Sequence, residues 1–493
     1  MVETFNRDTH ITVTTTKGVD YSVPSGLFIN GQFVKSVSGK KFASVNPSNG
    51  KVFAEFYEGD KADIDLAVKS AKAAYKSWSK VTPAERGRLI FKFCDLFERD
   101  KQIFAELESM DMGKTVKDML STDVPDFLAC MRYYAGWADK IHGKVVDVDP
   151  SLQTYTRHEP MGVVGQIIPW NYPLVMASWK LGPALSCGNC VVLKTSEKSP
   201  CTALKMMELW TEAGLPPGVL NIVSGYGPTA GSALASHMDV SKIAFTGSTG
   251  VGRKILAAAA SSNLKKVTLE LGGKSPNIVF KDADLDKAAY WCSIGIFSNH
   301  GQACSAGSRI FVHADIYDAF LEKLKETAQK LKVGDPTSED TDQGPLVDEL
   351  QFNRVMNYIE QGKKAGARVV CGGERNGTVG FFVKPTVFAD CDDSMIVVKE
   401  EIFGPVVVCL KFTDFDEVME RANSTSYGLA AAVHTQSLPL AFKAVNALEA
   451  GSVWVNAYHL GPPSMPFGGY KQSGIGRELG KYALAEYTQV KAV

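Results

Sequence analysis

The sequence predicts an α/β protein with more than one sheet-bearing domain. Three observations carry this. From Met161 onward, short apolar strands alternate with helical stretches. Each strand closes on a glycine- or proline-marked turn, the pattern of a parallel sheet with helices on its faces. A second alternation of the same kind follows Cys304, in a chain of 493 residues that is too long for one core. Parallel sheets of this type bind ligands at the carboxyl ends of their strands, where these turns lie.

Taken in order, residues 1–25 are polar and threonine-rich with no apolar core, which argues against a signal peptide. No apolar run approaches the roughly 20 residues of a membrane span, so the cytosol is the expected compartment. Residues 27–34 read as a hairpin with Asn30-Gly31 at its turn. Residues 64–78 and 83–112 read as amphipathic helices, the second opening on Thr82-Pro83-Ala84-Glu85 with cap and first-turn chemistry. Strands are expected at 163–169, 190–193, 219–224 and 243–245, then at 310–312, 369–371 and 406–412, with a helix at 317–331. The chain ends at 486–493 in strand periodicity with nothing after it, a natural pairing edge between subunits.

Composition narrows the partners. Lys plus Arg number 53 against 54 for Asp plus Glu, a balance that favours small-molecule ligands over nucleic acid or acidic membrane. Ten cysteines are scattered without a disulfide framework, which favours a reducing compartment. Cys187 and Cys190 have C-x-x-C spacing, but no second pair completes a zinc site, and no metal is expected.

Cys304 sits at the centre of a polar, glycine-punctuated loop, residues 297–309, between two apolar runs. Ala303, Ser305, Ala306 and Gly307 leave room for a substrate to reach the sulfur, and Gly301 and Gly307 allow backbone N–H groups to be aimed at a bound oxygen. Cys304 is therefore read as a nucleophile, against the alternative of a cysteine that merely packs.

Four further groups lie at strand ends. Residues 242–254 run strand, glycine turn, helix, but the glycines fall at 247, 250 and 252 rather than as G-x-G-x-x-G. What remains is a helix N-terminus able to offer amides and a favourable dipole to a pyrophosphate, or a tight connection without a ligand. Lys194 and Glu197 suit a ribose diol, or are a solvated surface pair. A carboxylate within ~4 Å of a 2′-phosphate would be repelled by about 1 to 4 kcal/mol, so Glu197 favours NAD over NADP. Glu270, set between Leu269 and Leu271 before Gly272-Gly273, is a candidate base whose partial burial would raise its pKa from about 4.3, unless it is an exposed strand-face glutamate. Asn171 can donate to an oxyanion, and Tyr172, Met176 and Trp179 fall at helical spacing, either as core or as the wall of an apolar substrate tunnel.

These pieces together resemble the aldehyde dehydrogenase superfamily, in its NAD-dependent, broad-range, tetramer-forming branch. The resemblance runs from the opening at Leu27 to the final strand. It is carried in order by Pro169-Trp170-Asn171 and residues 194–197, 245–252, 269–274, the Cys304 loop, 400–405 and 466–474. It implies a Rossmann-like NAD-binding domain over 1–141 and 161–271, a catalytic α/β domain over 272–480, and a small β extension for oligomerisation from 142–160 and 481–493.

It further implies that Cys304 attacks an aldehyde, that Asn171 and the Cys304 N–H hold the oxyanion, and that Glu270 activates the water that releases the acid. The cofactor contacts would fall on Ile168, Trp170, Lys194, Glu197, Gly247, Ser248, Glu401 and Phe403. A proton relay would involve Glu478. Relatives that transfer the acyl group to coenzyme A tend to lack a glutamate at position 270, so water is the implied acceptor. The tunnel would be lined by Tyr172, Met176, Trp179, Ala303, Ser305 and Phe467, which suits uncharged aliphatic or aromatic aldehydes. Residues 459–463 depart from the broad-range pattern and leave chain-length preference open. Other readings at this point are a semialdehyde or betaine-aldehyde dehydrogenase, a thiol hydrolase independent of NAD, and a non-catalytic protein of the same fold.

Overall fold

A computed structural model describes residues 8–493. The expectation for the first seven residues lies outside the described part, and the polar stretch after them forms an antiparallel hairpin of His10–Thr14 with Asp20–Pro24. Leu27–Ile29 and Gln32–Val34 make the hairpin expected from Asn30-Gly31, both turn residues having positive φ (53° and 79°). The helix Lys61–Trp78 starts three residues before its apolar periodicity does. The start is set by Asp60, which accepts from the Ala62 N–H in a reciprocal capping box with Asp63. The helix Pro83–Met112 is capped by Thr82 and stopped by Gly113 at φ 91°.

The first sheet has five parallel strands at its centre: β1 (Val163–Ile167), β2 (Cys190–Thr195), β3 (Leu220–Ser224), β4 (Lys242–Thr246) and β5 (Lys266–Glu270). Their spatial order is β5-β4-β1-β2-β3, and the 27–34 hairpin extends the β3 edge. The chain moves outward from β1 to β3 on one side, then returns to the other side of β1 as β4. The topological switch therefore lies between the carboxyl ends of β1 and β4, where an open α/β sheet forms its ligand crevice. The sequence alternates less than a half-exposed sheet would because β1 to β4 are buried on both faces. Helix α1 (Pro173–Ser186) follows β1 and helix α2 (Thr249–Ala260) follows β4.

Six parallel strands form the second sheet: β6 (Pro276–Val279), β7 (Arg309–His313), β8 (Thr386–Ala389), β9 (Val406–Phe412), β10 (Ala430–His434) and β11 (Ser452–Val455). Their order is β8-β9-β7-β6-β10-β11, with Arg368–Cys371 antiparallel at the β8 edge. Sheet membership thus changes across the short link from Glu270 to Pro276. Near the end of the chain Gly474–Ile475 crosses back to pair with β5. Thr488–Ala492 pairs antiparallel with Thr156–Pro160 as a separate two-stranded ribbon. No helix among the described residues is long and apolar enough to cross a membrane.

Candidate active site

The Cys304 loop joins the helix Leu285–Phe297 to β7 and faces the carboxyl end of β5. It holds three consecutive residues in the left-handed region, Asn299 (φ 48°), His300 (φ 58°) and Gly301 (φ 69°). Such a conformation costs of order 1–3 kcal/mol for each non-glycine residue and persists only where the surroundings over-determine it. They do so here. The Gly344 N–H donates to His300 Nε2 at 3.1 Å and the Val347 N–H to Gln302 Oε1 at 3.1 Å. Asn299 Nδ2 donates to the Asn171 carbonyl at 2.8 Å, while Asn171 Nδ2 donates to the Gln302 carbonyl at 2.8 Å. The loop and the end of β1 are therefore stitched together, and the carboxamide of Asn171 is oriented with one N–H committed and one left over.

The link Gly272-Gly273 passes directly beneath this loop. A Cβ at Gly273 would run into the Cys304 carbonyl oxygen, and one at Gly272 into the Glu401 carboxylate. Glu401 accepts from the Gly273 N–H at 2.9 Å, and Ser473 Oγ donates to the Gly272 carbonyl at 2.7 Å. Absence of side chains here lets a thiol loop, a carboxylate and a strand end converge.

Of the ten cysteines, all unpaired, Cys304 is among the three that are not fully buried. Its surroundings raise its pKa to about 12, first by burial and then through the nearby Glu270 and Glu401 carboxylates. Glu270 is 4 % exposed, with Oε2 lacking any hydrogen-bond partner. Burial, and next the Glu478 carboxylate, hold its pKa well above the ordinary glutamate value, while Lys180 and Arg477 oppose them. The solvated strand-face alternative for Glu270 is thereby excluded. Lys180 Nζ reaches Glu478 Oε1 and Thr246 Oγ1, each at 2.6 Å. Glu401 rises to about 7, chiefly through burial.

At the switch-point crevice, Ile168 directly follows β1, its N–H donating to the Lys194 carbonyl at 3.1 Å. Lys194 is almost fully buried and lies 3.4 Å from Glu197, which is part-exposed; burial lowers the Lys194 pKa. This pair is not a solvated surface pair. Gly247 and Ser248 lead into α2, whose N-cap Ser248 makes no side-chain capping bond, and Thr249 Oγ1 is buried without a partner. The first amides of α2 are left open, as an anion site needs. Trp170 and Phe403 meet edge to face, centroids 5.4 Å apart, and Lys198 stands over the Trp170 ring. Phe403 is held at φ 62° and its carbonyl accepts from Gln351 Nε2 at 2.7 Å.

Around the thiol the expected helical stripe needs one correction. Tyr172 is the N-cap of α1 rather than part of it, because Pro173 occupies the first helical position. Met176 is buried, while Trp179 is part-exposed and packs edge to face on Phe467 at 5.1 Å. Lys114, in a buried ion pair with Asp123, lies 4.3 Å from the centre of the Tyr172 ring. Ala303 and Ser305 flank the sulfur, and Ser305 Oγ is 3.3 Å from His459 Nε2.

Sequence reasoning missed Asn299, His300, Gln302, Gln351, Lys114 and Lys180. The first four act through backbone groups far away in the chain, which no local pattern reveals. Lys180 did leave a signal: a lysine inside the apolar helix Pro173–Ser186 must find a buried partner.

The chain matches the aldehyde dehydrogenase family over residues 33–493. It is 58% identical over 476 residues to an aldehyde dehydrogenase of Emericella nidulans, covering 96% of each chain. It is 54% identical over 470 residues to a mitochondrial aldehyde dehydrogenase of Homo sapiens, covering 95% of this chain and 91% of that one. A solved NAD+ complex of an aldehyde dehydrogenase from Bacillus cereus superposes with a TM-score of 0.94 at 52% identity, covering 95% of this chain and 96% of that one. With the thiol loop, the buried glutamate and the switch-point crevice in one place, and with matches of this extent, the chain belongs to the aldehyde dehydrogenase family.

Proposed function

We propose that this protein oxidises an uncharged aldehyde to its carboxylic acid with NAD, through a thioester on Cys304. The observation that carries this is the placing of an accessible thiol, a buried carboxylate with one unpartnered oxygen and a donor carboxamide on converging strand ends. The Cys304 sulfur adds to the carbonyl carbon, and the resulting oxyanion is held by the free N–H of Asn171 and the Cys304 backbone N–H. Losing one such donor costs about 2.7 to 4 kcal/mol. NAD supplies a hydride acceptor when bound. Glu270, as carboxylate, then takes a proton from the water that attacks the thioester, and returns it to the sulfur as the acyl carbon–sulfur bond breaks, so that Cys304 leaves as the thiol. Glu270 also receives the thiol proton at the first step, because a thiol raised to about 12 is scarcely ionised at neutral pH. Glu478, bonded to Lys180, is the next carboxylate in line for that proton.

The residues present fit the dinucleotide. The open amides of α2 and the orphaned Thr249 hydroxyl suit its pyrophosphate, Lys194 and Glu197 suit the adenosine ribose, and Ile168 and Trp170 line the same strand end. Glu401 and Phe403 would meet the nicotinamide ribose and ring. Glu197 bears on the choice between NAD and NADP: Glu197→Gln is expected to raise kcat/KM with NADP relative to NAD about fivefold or more, from the ~1 to 4 kcal/mol of repulsion removed.

A homotetramer is our reading of the oligomer. The ribbon of Thr156–Pro160 with Thr488–Ala492 has open outer edges, β11 ends the second sheet unpaired, and Val145, Val146, Val148 and Leu152 are exposed nearby in sequence. Sedimentation equilibrium tests it. Unpaired cysteines suit the cytosol, which cell fractionation tests. The domain limits given above, 142–160 and 481–493 for the oligomer contact and 272–480 for catalysis, are part of the same reading.

The decisive experiment is NADH formation across acetaldehyde, benzaldehyde and succinic semialdehyde by the wild type and Cys304→Ser. Oxidation of the first two, abolished in the variant, is expected; oxidation that survives Cys304→Ser at the wild-type rate overturns the proposal.

A further inference from the structure

Beside the thiol lie polar atoms that neither the oxyanion site nor the base uses. Ser305 Oγ and His459 Nε2 lie 3.3 Å apart. The Tyr458 hydroxyl donates to the Ser305 carbonyl at 2.8 Å, fixing the backbone next to Cys304. His459 is held at φ 57°, its ring edge-on to Tyr458 at 4.8 Å and to Trp454 at 6.0 Å. Trp454 Nε1 then donates to the Leu460 carbonyl at 2.6 Å and closes the turn. A left-handed residue clamped from three sides is one whose side chain is being aimed.

The state of the ring follows from its surroundings. Burial pushes the His459 pKa down to about 4; the Ser305 carbonyl opposes this and the Lys114 ammonium reinforces it. The imidazole is neutral at physiological pH and offers one donor and one acceptor. Lys114 brings no free charge, because Asp123 pairs with it.

We propose that the Ser305–His459 pair is the specificity-determining element for the substrate's tail, selecting short aldehydes that carry an uncharged hydroxyl close to the carbonyl. This rests on the aldehyde-oxidising reading of the site and names its substrate class. A hydroxyl can both donate to and accept from the pair. An alkyl tail would take water from Ser305 and His459 without replacing its hydrogen bonds. A quaternary ammonium neither donates nor accepts a hydrogen bond.

The test compares kcat/KM for 3-hydroxypropanal and propanal, with NAD, in the wild-type enzyme, Ser305→Ala, His459→Phe and the hydrogen-bonding variant His459→Gln. The wild type is expected to prefer the hydroxyaldehyde. That preference should fall about fivefold to tenfold in Ser305→Ala and His459→Phe, chiefly through KM for the hydroxyaldehyde, and should be largely kept in His459→Gln. A wild type that prefers propanal, or a preference unmoved in Ser305→Ala and His459→Phe while propanal is still oxidised, overturns this inference alone. If neither aldehyde yields NADH, the catalytic reading falls and takes this one with it.

Discussion

Lys180 Nζ lies 2.6 Å from Glu478 Oε1, and both side chains are closed to solvent, the lysine wholly and the glutamate to 6 % exposure. A buried ion pair of this kind contributes less by its attraction than it would cost to break, since either charge left alone has no water to turn to. The pair also sets the field at Glu270, whose pKa is raised by Glu478 and lowered by Lys180. One salt bridge therefore bears on stability and on catalysis together.

Replacing Lys180→Met should lower unfolding stability by about 3 to 5 kcal/mol, read from denaturant unfolding. It should also raise the pKa of Glu270 further, so that the acid limb of the pH–rate profile moves to higher pH. The double variant Lys180→Met/Glu478→Gln should recover much of the stability. A single variant as stable as the wild type would show that breaking the pair leaves no uncompensated buried charge.

Glu270→Gln should separate activity from stability in opposite directions. Folded, Glu270 holds its proton to a higher pH than it does unfolded, because burial penalises the carboxylate. Above the unfolded value of 4.5 the unfolded chain releases that proton first, so this residue's contribution to stability falls as pH rises toward the folded pKa. The glutamine variant lacks this loss. Its Tm relative to wild type should climb as pH rises above 4.5, while kcat falls by about 10² to 10⁴. A Tm difference that is flat with pH would show that the carboxylate is better solvated than its surroundings imply.

Much of this was legible in the sequence, and the boundary is informative. Both sheets, the switch-point turns, Cys304 and Glu270 each announce themselves in a short run of residues, since a strand, a glycine turn and a polar residue among apolar ones are local features. Burial of Glu270 was not legible, because strand alternation places a side chain on a face without saying what covers it. Nor was the Asn171 carboxamide's bond to Gln302, which spans 131 positions of chain. Tyr172 was read as helical from spacing alone, whereas Pro173 makes it the cap. What sequence periodicity cannot supply is the partner of a buried polar group, and this site is built largely from such partners.

Asn171→Ala should lower kcat by about 10² to 10³ from the loss of an oxyanion donor. It also removes one of the two side-chain donors to the Gln302 carbonyl and leaves only Asn299 Nδ2 at 3.1 Å, so part of the loss will come from loosening of the thiol loop. Alkylation of Cys304 by iodoacetamide separates the two effects: an altered alkylation rate reports loop movement, and an unaltered one assigns the whole loss to the oxyanion.

Gly272 and Gly273 look equivalent in sequence and should behave differently. An alanine methyl at Gly273 would strike the Cys304 carbonyl oxygen, a backbone atom in a loop already pinned through His300 and Gln302, so the only relief is to move the nucleophile itself. At Gly272 the obstacle is the carboxylate end of Glu401, a side chain that can rotate away at the cost of its bond from the Gly273 N–H. A displacement of ~1 Å at the reacting atom costs on the order of 10²-fold in rate. Gly273→Ala should therefore lose about that factor in kcat and alter the alkylation rate of Cys304. Gly272→Ala should leave the loop backbone in place, alter thiol reactivity less than Gly273→Ala does, and act on KM for NAD, through Glu401. If the two variants lose kcat equally and both leave the thiol unperturbed, the close approach of the glycine link to the thiol loop does not position the sulfur.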